Sequence, residues 1–155
     1  MTEAAQENVQ PFFNIEKIYV KDISLEIPNA PQIFLERENP QIDVQLDNRA
    51  GPIEADAFEV ELTTTVTARI GEKVMFLIEA KQAGIFRLRN LPKADMESVL
   101  AVMCPNILFP YLRELVSNVA VRAGFSPLML SPVNFEGLYQ QHKQEQAQAA
   151  AATTH

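Results

Sequence analysis

The chain has 155 residues, 47% of them hydrophobic and 21% charged, which suits one soluble globular domain with a real core. Its net charge of -7, from 13 basic and 20 acidic residues, argues against a nucleic-acid binder, which needs a basic stripe. One cysteine, Cys104, rules out an internal disulfide and fits a reducing compartment.

Residues 1–11 are polar and acidic, without the basic and apolar regions of a secretory signal, and are expected to be disordered. From Phe13 to Ile27 the pattern is that of a strand. Ile23, Leu25 and Ile27 alternate with Asp22, Ser24 and Glu26, so Asp22 and Glu26 share a face. Pro28 to Pro31 stops the ladder, and Gln32 to Asn39 reads as a crossing segment with Ile33, Phe34 and Leu35 as its apolar content. A second strand, Ile42 to Leu46, puts Ile42, Val44 and Leu46 on one side. Asp47 to Pro52 has the composition of a turn. Ala57 to Ile70 is the clearest strand, and Gly71-Glu72-Lys73 joins it to a fourth, Val74 to about Phe86. Val74, Phe76, Ile78 and Ala80 are expected on the core face. Met75, Leu77, Glu79 and Lys81 fall on the other, which is unusually apolar for a solvated surface.

Ala94 to Met103 reads as a short helix ended by Pro105, and the main helix runs from there to Gly124, a C-terminal stop. Pro110 predicts a kink or an irregular turn. At 100° per residue, Leu108, Phe109, Leu112, Leu115, Val116, Val119, Ala120 and Ala123 fill an arc of about 140°. A helix on one core needs only ~100°, and Ile107, Tyr111 and Val121 lie outside that arc. The excess implies burial against a sheet on one side and another subunit on the other; a long core helix in a monomer is the alternative. Asn134 is a fitting N-cap for a last helix with Phe135, Leu138 and Tyr139 on one face. The Gln/Ala-rich tail, residues 142–155, is expected to be disordered. Strands first and helices later mean α+β with an antiparallel sheet, in a single domain spanning 12–141. No apolar run approaches the ~18 residues of a membrane span, and a cytoplasmic protein is expected.

Signs of catalysis are absent. His142 and His155 lie in or beside the tail, without ligand partners at metal-binding spacing, and Cys104 has no histidine base in the ordered chain. No glycine-rich phosphate loop occurs. Glu59 and Glu61 form a carboxylate pair on paper, but acids on an exposed strand face are the commoner case. The residues therefore describe a binding protein without cofactor or metal, not an enzyme.

Three stretches carry a specific resemblance. Ile18-Tyr-Val-Lys-Asp-Ile-Ser-Leu-Glu-Ile-Pro-Asn-Ala-Pro31, Cys104-Pro-Asn-Ile-Leu-Phe-Pro-Tyr111 and Leu130-Ser-Pro-Val-Asn-Phe135 are similar to the signatures of the SecB family of bacterial protein-export chaperones. The resemblance spans about Phe12 to Gln141. It implies a four-stranded antiparallel sheet with helices on one face, assembled as a dimer of dimers. It also implies an ATP-independent chaperone that holds precursor proteins unfolded in the cytoplasm and passes them to SecA for export. Carried over by motif, the SecA-binding residues are Asp22, Glu26, Leu77 and Glu79. The client-binding residues are Ile42, Val44, Leu46, Phe135, Leu138 and Tyr139. In this family the crossing loop carries a tryptophan shortly before the proline that opens the second strand; here Glu38-Asn39-Pro40 stands there, and the chain has no tryptophan. The competing readings are a SecB-like chaperone of a toxin–antitoxin system and a non-chaperone α+β binding oligomer.

Overall fold

The computed structural model describes residues 10–153. Four strands, β1 (Phe12–Glu26), β2 (Gln41–Glu54), β3 (Ala57–Ile70) and β4 (Lys73–Arg89), form one antiparallel sheet in the order β1-β4-β3-β2. β2, β3 and β4 are joined as consecutive hairpins. β1 reaches the far edge through a crossing connection that holds a 3₁₀ turn at Gln32–Leu35. That connection is pinned by Asn29 Nδ2, which donates to the Val74 carbonyl at 2.9 Å, and by buried Ile33; the Ala30–Pro31 peptide bond is cis. The fold is thus α+β, with its helices α1 (Lys93–Ser98), α2 (Cys104–Arg122) and α3 (Phe135–Ala152) following the strands.

The period-two pattern of β3 produces the core. Val60, Leu62, Val66 and Ala68 are fully buried, and β4 adds Ile78, Ala80 and Phe86. Against them α2 lays Leu108, Leu112, Val116 and Ala120, a ridge that recurs every fourth residue as helix geometry requires. Full burial of each Leu or Val of that ridge is worth about 1.5–3 kcal/mol. Gly84 makes room for it: a Cβ there would stand 3.1 Å from Leu108 and 2.8 Å from Phe86. Two polar side chains inside are satisfied, Thr64 donating to the Gln45 carbonyl and Gln82 to the Tyr19 carbonyl. Cys104 is buried, and burial pushes its thiol up to about 12, so it is a small hydrophobe rather than a nucleophile.

The helix lies mainly on β3 and β4. On β1 the inward Val20, Ile23 and Leu25 stay exposed, and on α2 so do Tyr111 and Val121. The apolar excess of the main helix is therefore real in the single chain.

Several sequence expectations are corrected. β2 continues through the supposed turn at 47–52, because an edge strand tolerates Pro52 and Gly51; the chain reverses at Ala55-Asp56, with Asp56 at φ 66. The β3–β4 connection has two residues, Gly71 and Glu72, since Ile70 already pairs with Lys73. Met75 leaves the outer face. Ala68 pairs with Phe76 and Arg69 with Val74, so Met75 is the extra residue of a bulge and packs against the core. Pro105 does not break the helix. Val99–Met103 is a π-turn, the Cys104 N–H reaches back to the Val99 carbonyl, and the helix runs unbroken from Lys93 to Arg122, through Pro110. That continuous helix is long and apolar enough to cross a membrane by length and composition, which counting uninterrupted apolar runs had missed; a third of its most apolar window is buried.

Gly124 does end the helix, at φ 96. Its N–H donates to the Val121 carbonyl and the Phe125 N–H to the Ala120 carbonyl, a Schellman closure. Asn134 caps α3 by accepting from the Gly137 N–H at 3.0 Å. Beyond Gln141, α3 runs on to Ala152 with its side chains exposed: alanine, glutamine and glutamate are good helix formers, and Gln141–Glu145 and His142–Gln146 bonds join successive turns; residues 154–155 of the expected disordered tail lie outside the described residues. Of the expected disordered N-terminus, residues 1–9 lie outside the described residues, and Gln10 and Pro11 precede β1 without regular structure.

Candidate functional site

Two surfaces stand out, on opposite faces of the sheet. On the outer face, β1 and β4 bring together the four residues singled out from β1 and β4. Asp22 lies opposite Lys81, Ser24 opposite Glu79, and Glu26 opposite Leu77. Cross-strand partners project to the same side, so Glu26 across the pair and Glu79 two residues along flank a half-buried Leu77, and Asp22 lies one diagonal step beyond Glu79, with diagonal neighbours about 7–8 Å apart.

Some other charges of that face pair with one another, while Lys81, opposite Asp22, forms no ion pair among the described residues. Lys21 bridges Glu59, at 2.7 Å, and Glu61, while the Tyr19 hydroxyl donates to Glu59 across the small Ala83 of β4. Hydrogen bonds from Lys21 and then Tyr19 hold the Glu59 carboxyl below the usual range. Glu59 and Glu61 in turn raise Lys21, and burial with the Glu59 bond pushes Tyr19 up to about 12. Arg87 joins Glu16 and Glu54, and Arg89 joins Asp56 at 3.4 Å. Asp22, Glu26 and Glu79 take no cation among the described residues. The face thus presents a leucine between two carboxylates, Glu26 and Glu79, with Asp22 further along the same face and none of the three in an ion pair among the described residues, the chemistry that fits a basic partner with an apolar contact.

On the inner face, the edge of β2 left uncovered by α2 carries Ile42, Val44 and Leu46, aligned with Ala68, Val66 and Thr64 of β3. Val44 is 47% exposed. The stripe connects two hollows. One, of about 590 Å³, is lined by Leu46, Phe135, Leu138 and Tyr139 together with Asn48 and Ala101. The other, of about 350 Å³, lies beyond Ile42 under the crossing connection. Of the candidate residues, Phe135 is 3% exposed and stacks edge-on against Phe109 at 5.9 Å, so it supports the wall; Leu138 and Tyr139 form the rim.

The second hollow was missed from the sequence. Phe34 stacks on Phe125 at 5.0 Å, Phe76 lies 5.1 Å from Phe125, and Met75 and Leu128 complete the lining. These residues come from three separate stretches. The readable hints were the aromatic Phe34 within the apolar Ile33-Phe34-Leu35 of the crossing loop and Phe125 directly after the stop glycine. They supply aromatic surface in a chain whose crossing loop has no tryptophan.

Comparison with known proteins matches this arrangement to one family. The model of preprotein translocase subunit SecB covers residues 6–146. The chain is 56% identical over 153 residues to the protein-export protein SecB of Methylobacillus flagellatus, covering 99% of this chain and 98% of that one. The chain belongs to the SecB family. Other SecB proteins agree: that of Nitrosomonas eutropha is 61% identical over 95% of this chain and 91% of its own, and that of Chromobacterium violaceum 58% over 95% and 98%. Among solved structures, a SecB-like chaperone of Mycobacterium tuberculosis in complex with a peptide from the HigA1 antitoxin has a TM-score of 0.66, covering 78% of this chain and 90% of that one. At 17% identity, that likeness shows the fold alone. The SecB relatives are named as protein-export proteins, not as enzymes.

Proposed function

We propose that this SecB-family protein is an ATP-independent holding chaperone of the cytoplasm, a homotetrameric dimer of dimers that keeps precursor proteins unfolded and delivers them to SecA. The observation that carries the reading is the exposed stripe Ile42–Val44–Leu46 joining two apolar hollows, in a chain alike over nearly its full length to protein-export relatives. Apolar burial is non-directional and worth ~25 cal/mol per Å², so such a groove accepts many sequences weakly. Several grooves on one assembly raise the total affinity through effective concentration. A folded client hides its apolar segments and is passed over. Ile42, Val44, Leu46, Leu138 and Tyr139 touch the client, with Phe135 behind them.

Asp22, Glu26, Leu77 and Glu79 are proposed as the SecA dock. Their free carboxylates lie on the side of the sheet away from the groove, so SecA has access while a client is held. The uncovered Val20, Ile23 and Leu25 of β1 and Tyr111 and Val121 of α2 are proposed as the subunit contacts, which assigns the outer side of the long apolar helix to protein and not to lipid. The full-length likeness to export relatives favours general export over service to a toxin–antitoxin pair.

The test is a refolding assay. A slow-folding precursor is diluted from urea into buffer without nucleotide, and its refolding is followed by fluorescence. Stoichiometric tetramer is expected to arrest refolding, and SecA to relieve the arrest. Refolding at its unassisted rate would overturn the proposal.

A further inference from the structure

The larger hollow has an exposed polar residue in its lining. Asn48 follows Leu46 by two residues on the same face of β2, opposite Leu62. Its Nδ2 donates to the Ala101 carbonyl at 3.3 Å, in the π-turn. Ala101 lies four residues before Pro105, and the α-helical donor to that carbonyl would be the N–H that Pro105 lacks. Both residues line the larger hollow beside Leu46, Phe135, Leu138 and Tyr139.

An asparagine carboxamide has two N–H donors and one oxygen acceptor. One N–H is engaged by Ala101, and among the described residues the side chain makes no other hydrogen bond. One donor and one acceptor are left, the complement of a single peptide group. An extended chain laid in an apolar groove brings its amides out of water, and each unpaired one weakens binding. Clients of different sequence share no side-chain polar group, but all share that amide. We propose that Asn48, steadied by the Ala101 carbonyl, is a backbone-reading subsite that takes one main-chain amide of an extended polypeptide seated in the groove. This rests on the groove being the client site and adds a sequence-independent polar contact to it.

The test uses the full-length protein and a ten-residue peptide of Leu, Val and Phe with a lysine at each end, methylated in turn at each backbone nitrogen. In wild type, methylation at one or two positions should weaken binding about tenfold and elsewhere have little effect. Asn48→Ala should bind the unmethylated peptide about tenfold more weakly and lose that positional pattern. Leu46→Ser should weaken every peptide alike and keep the pattern. Asn48→Val, β-branched and suited to a strand, replaces the alanine variant if that fails to fold. A pattern shared by wild type and the Asn48 variant, or absent from both, overturns this inference while leaving the groove reading intact. No binding of the unmethylated peptide to wild type, or binding indifferent to Leu46→Ser, removes the groove reading and this subsite with it.

Discussion

Replacing Glu79 by lysine tests the acidic dock quantitatively. Glu79 is exposed, lies opposite Ser24, and sits diagonally between Asp22 and Glu26 with Lys81 next on its own face. In the free protein the change is mild. At about 8 Å in water-like dielectric each unit-charge pair is worth ~0.5 kcal/mol, and Glu79→Lys turns two such repulsions, with Asp22 and Glu26, into attractions and one attraction, with Lys81, into a repulsion. Folding stability should therefore hold or rise slightly. In the complex the balance is opposite. A SecA cation about 4 Å away loses an attraction of ~1 kcal/mol and meets a repulsion of similar size, a swing of ~2 kcal/mol, or roughly 30-fold in affinity. Calorimetric titration of SecA at low and at high salt measures it. Wild-type binding should weaken with salt, since the Debye length falls from ~10 Å at 0.1 M to ~3 Å at 1 M, and the gap between wild type and variant should narrow. Asp95→Lys, the same change of net charge on α1 in the helix layer, should leave binding nearly unaltered. Equal SecA affinity for Glu79→Lys and wild type, with both folded, would refute the reasoning.

Further outcomes follow from other parts of the structure. Light scattering should give about four times the 17.4 kDa of one chain, and Leu112→Asp, which buries a charge in the α2 ridge, should unfold the protein in circular dichroism. Lys21→Gln frees Glu59 and Glu61, enlarges the acidic surface, and should tighten SecA binding several-fold with a steeper salt dependence. Because the Glu59 carboxyl is lowered in the fold, its stabilisation is present at neutral pH and lost as pH falls through its folded value. The melting temperature of Lys21→Gln should lie below wild type at pH 7 and converge with it in acid. Cys104, pushed up from 9.0 to about 12 by burial, should resist a thiol reagent at pH 8 in the native protein and react once urea unfolds it; fast native labelling would contradict its burial.

The strands were legible because alternation is a local property: Phe58 to Ile70 carry it with Thr64 as the one polar inward position, and Asp22 to Ile27 carry it throughout. The misread segments depend on what lies beside them. Pro52 and Gly51 signal a turn unless the strand is at an edge, and edge position is set by the order β1-β4-β3-β2. The Met75 bulge and the π-turn before Pro105 are adjustments of the backbone to its neighbours, invisible to a periodicity count. Alternation put Asp22 with Glu26 and Leu77 with Glu79, but not which acids stay free. That is decided by how far Lys21 and Arg87 reach across β4 and its neighbours to Glu59, Glu61, Glu16 and Glu54. The Phe34–Phe76–Phe125 hollow is assembled from distant segments, and no single stretch announces it.

Two docks on opposite faces of one sheet are the centre of this account, and site-specific photo-crosslinking in the ternary complex with SecA and an unfolded precursor tests them most directly. A photoreactive side chain in place of Val44 or Leu138 should capture the precursor, and one in place of Leu77 should capture SecA, within the same complex. Precursor captured from the Leu77 position, or SecA from Val44, would contradict the separation of the two surfaces.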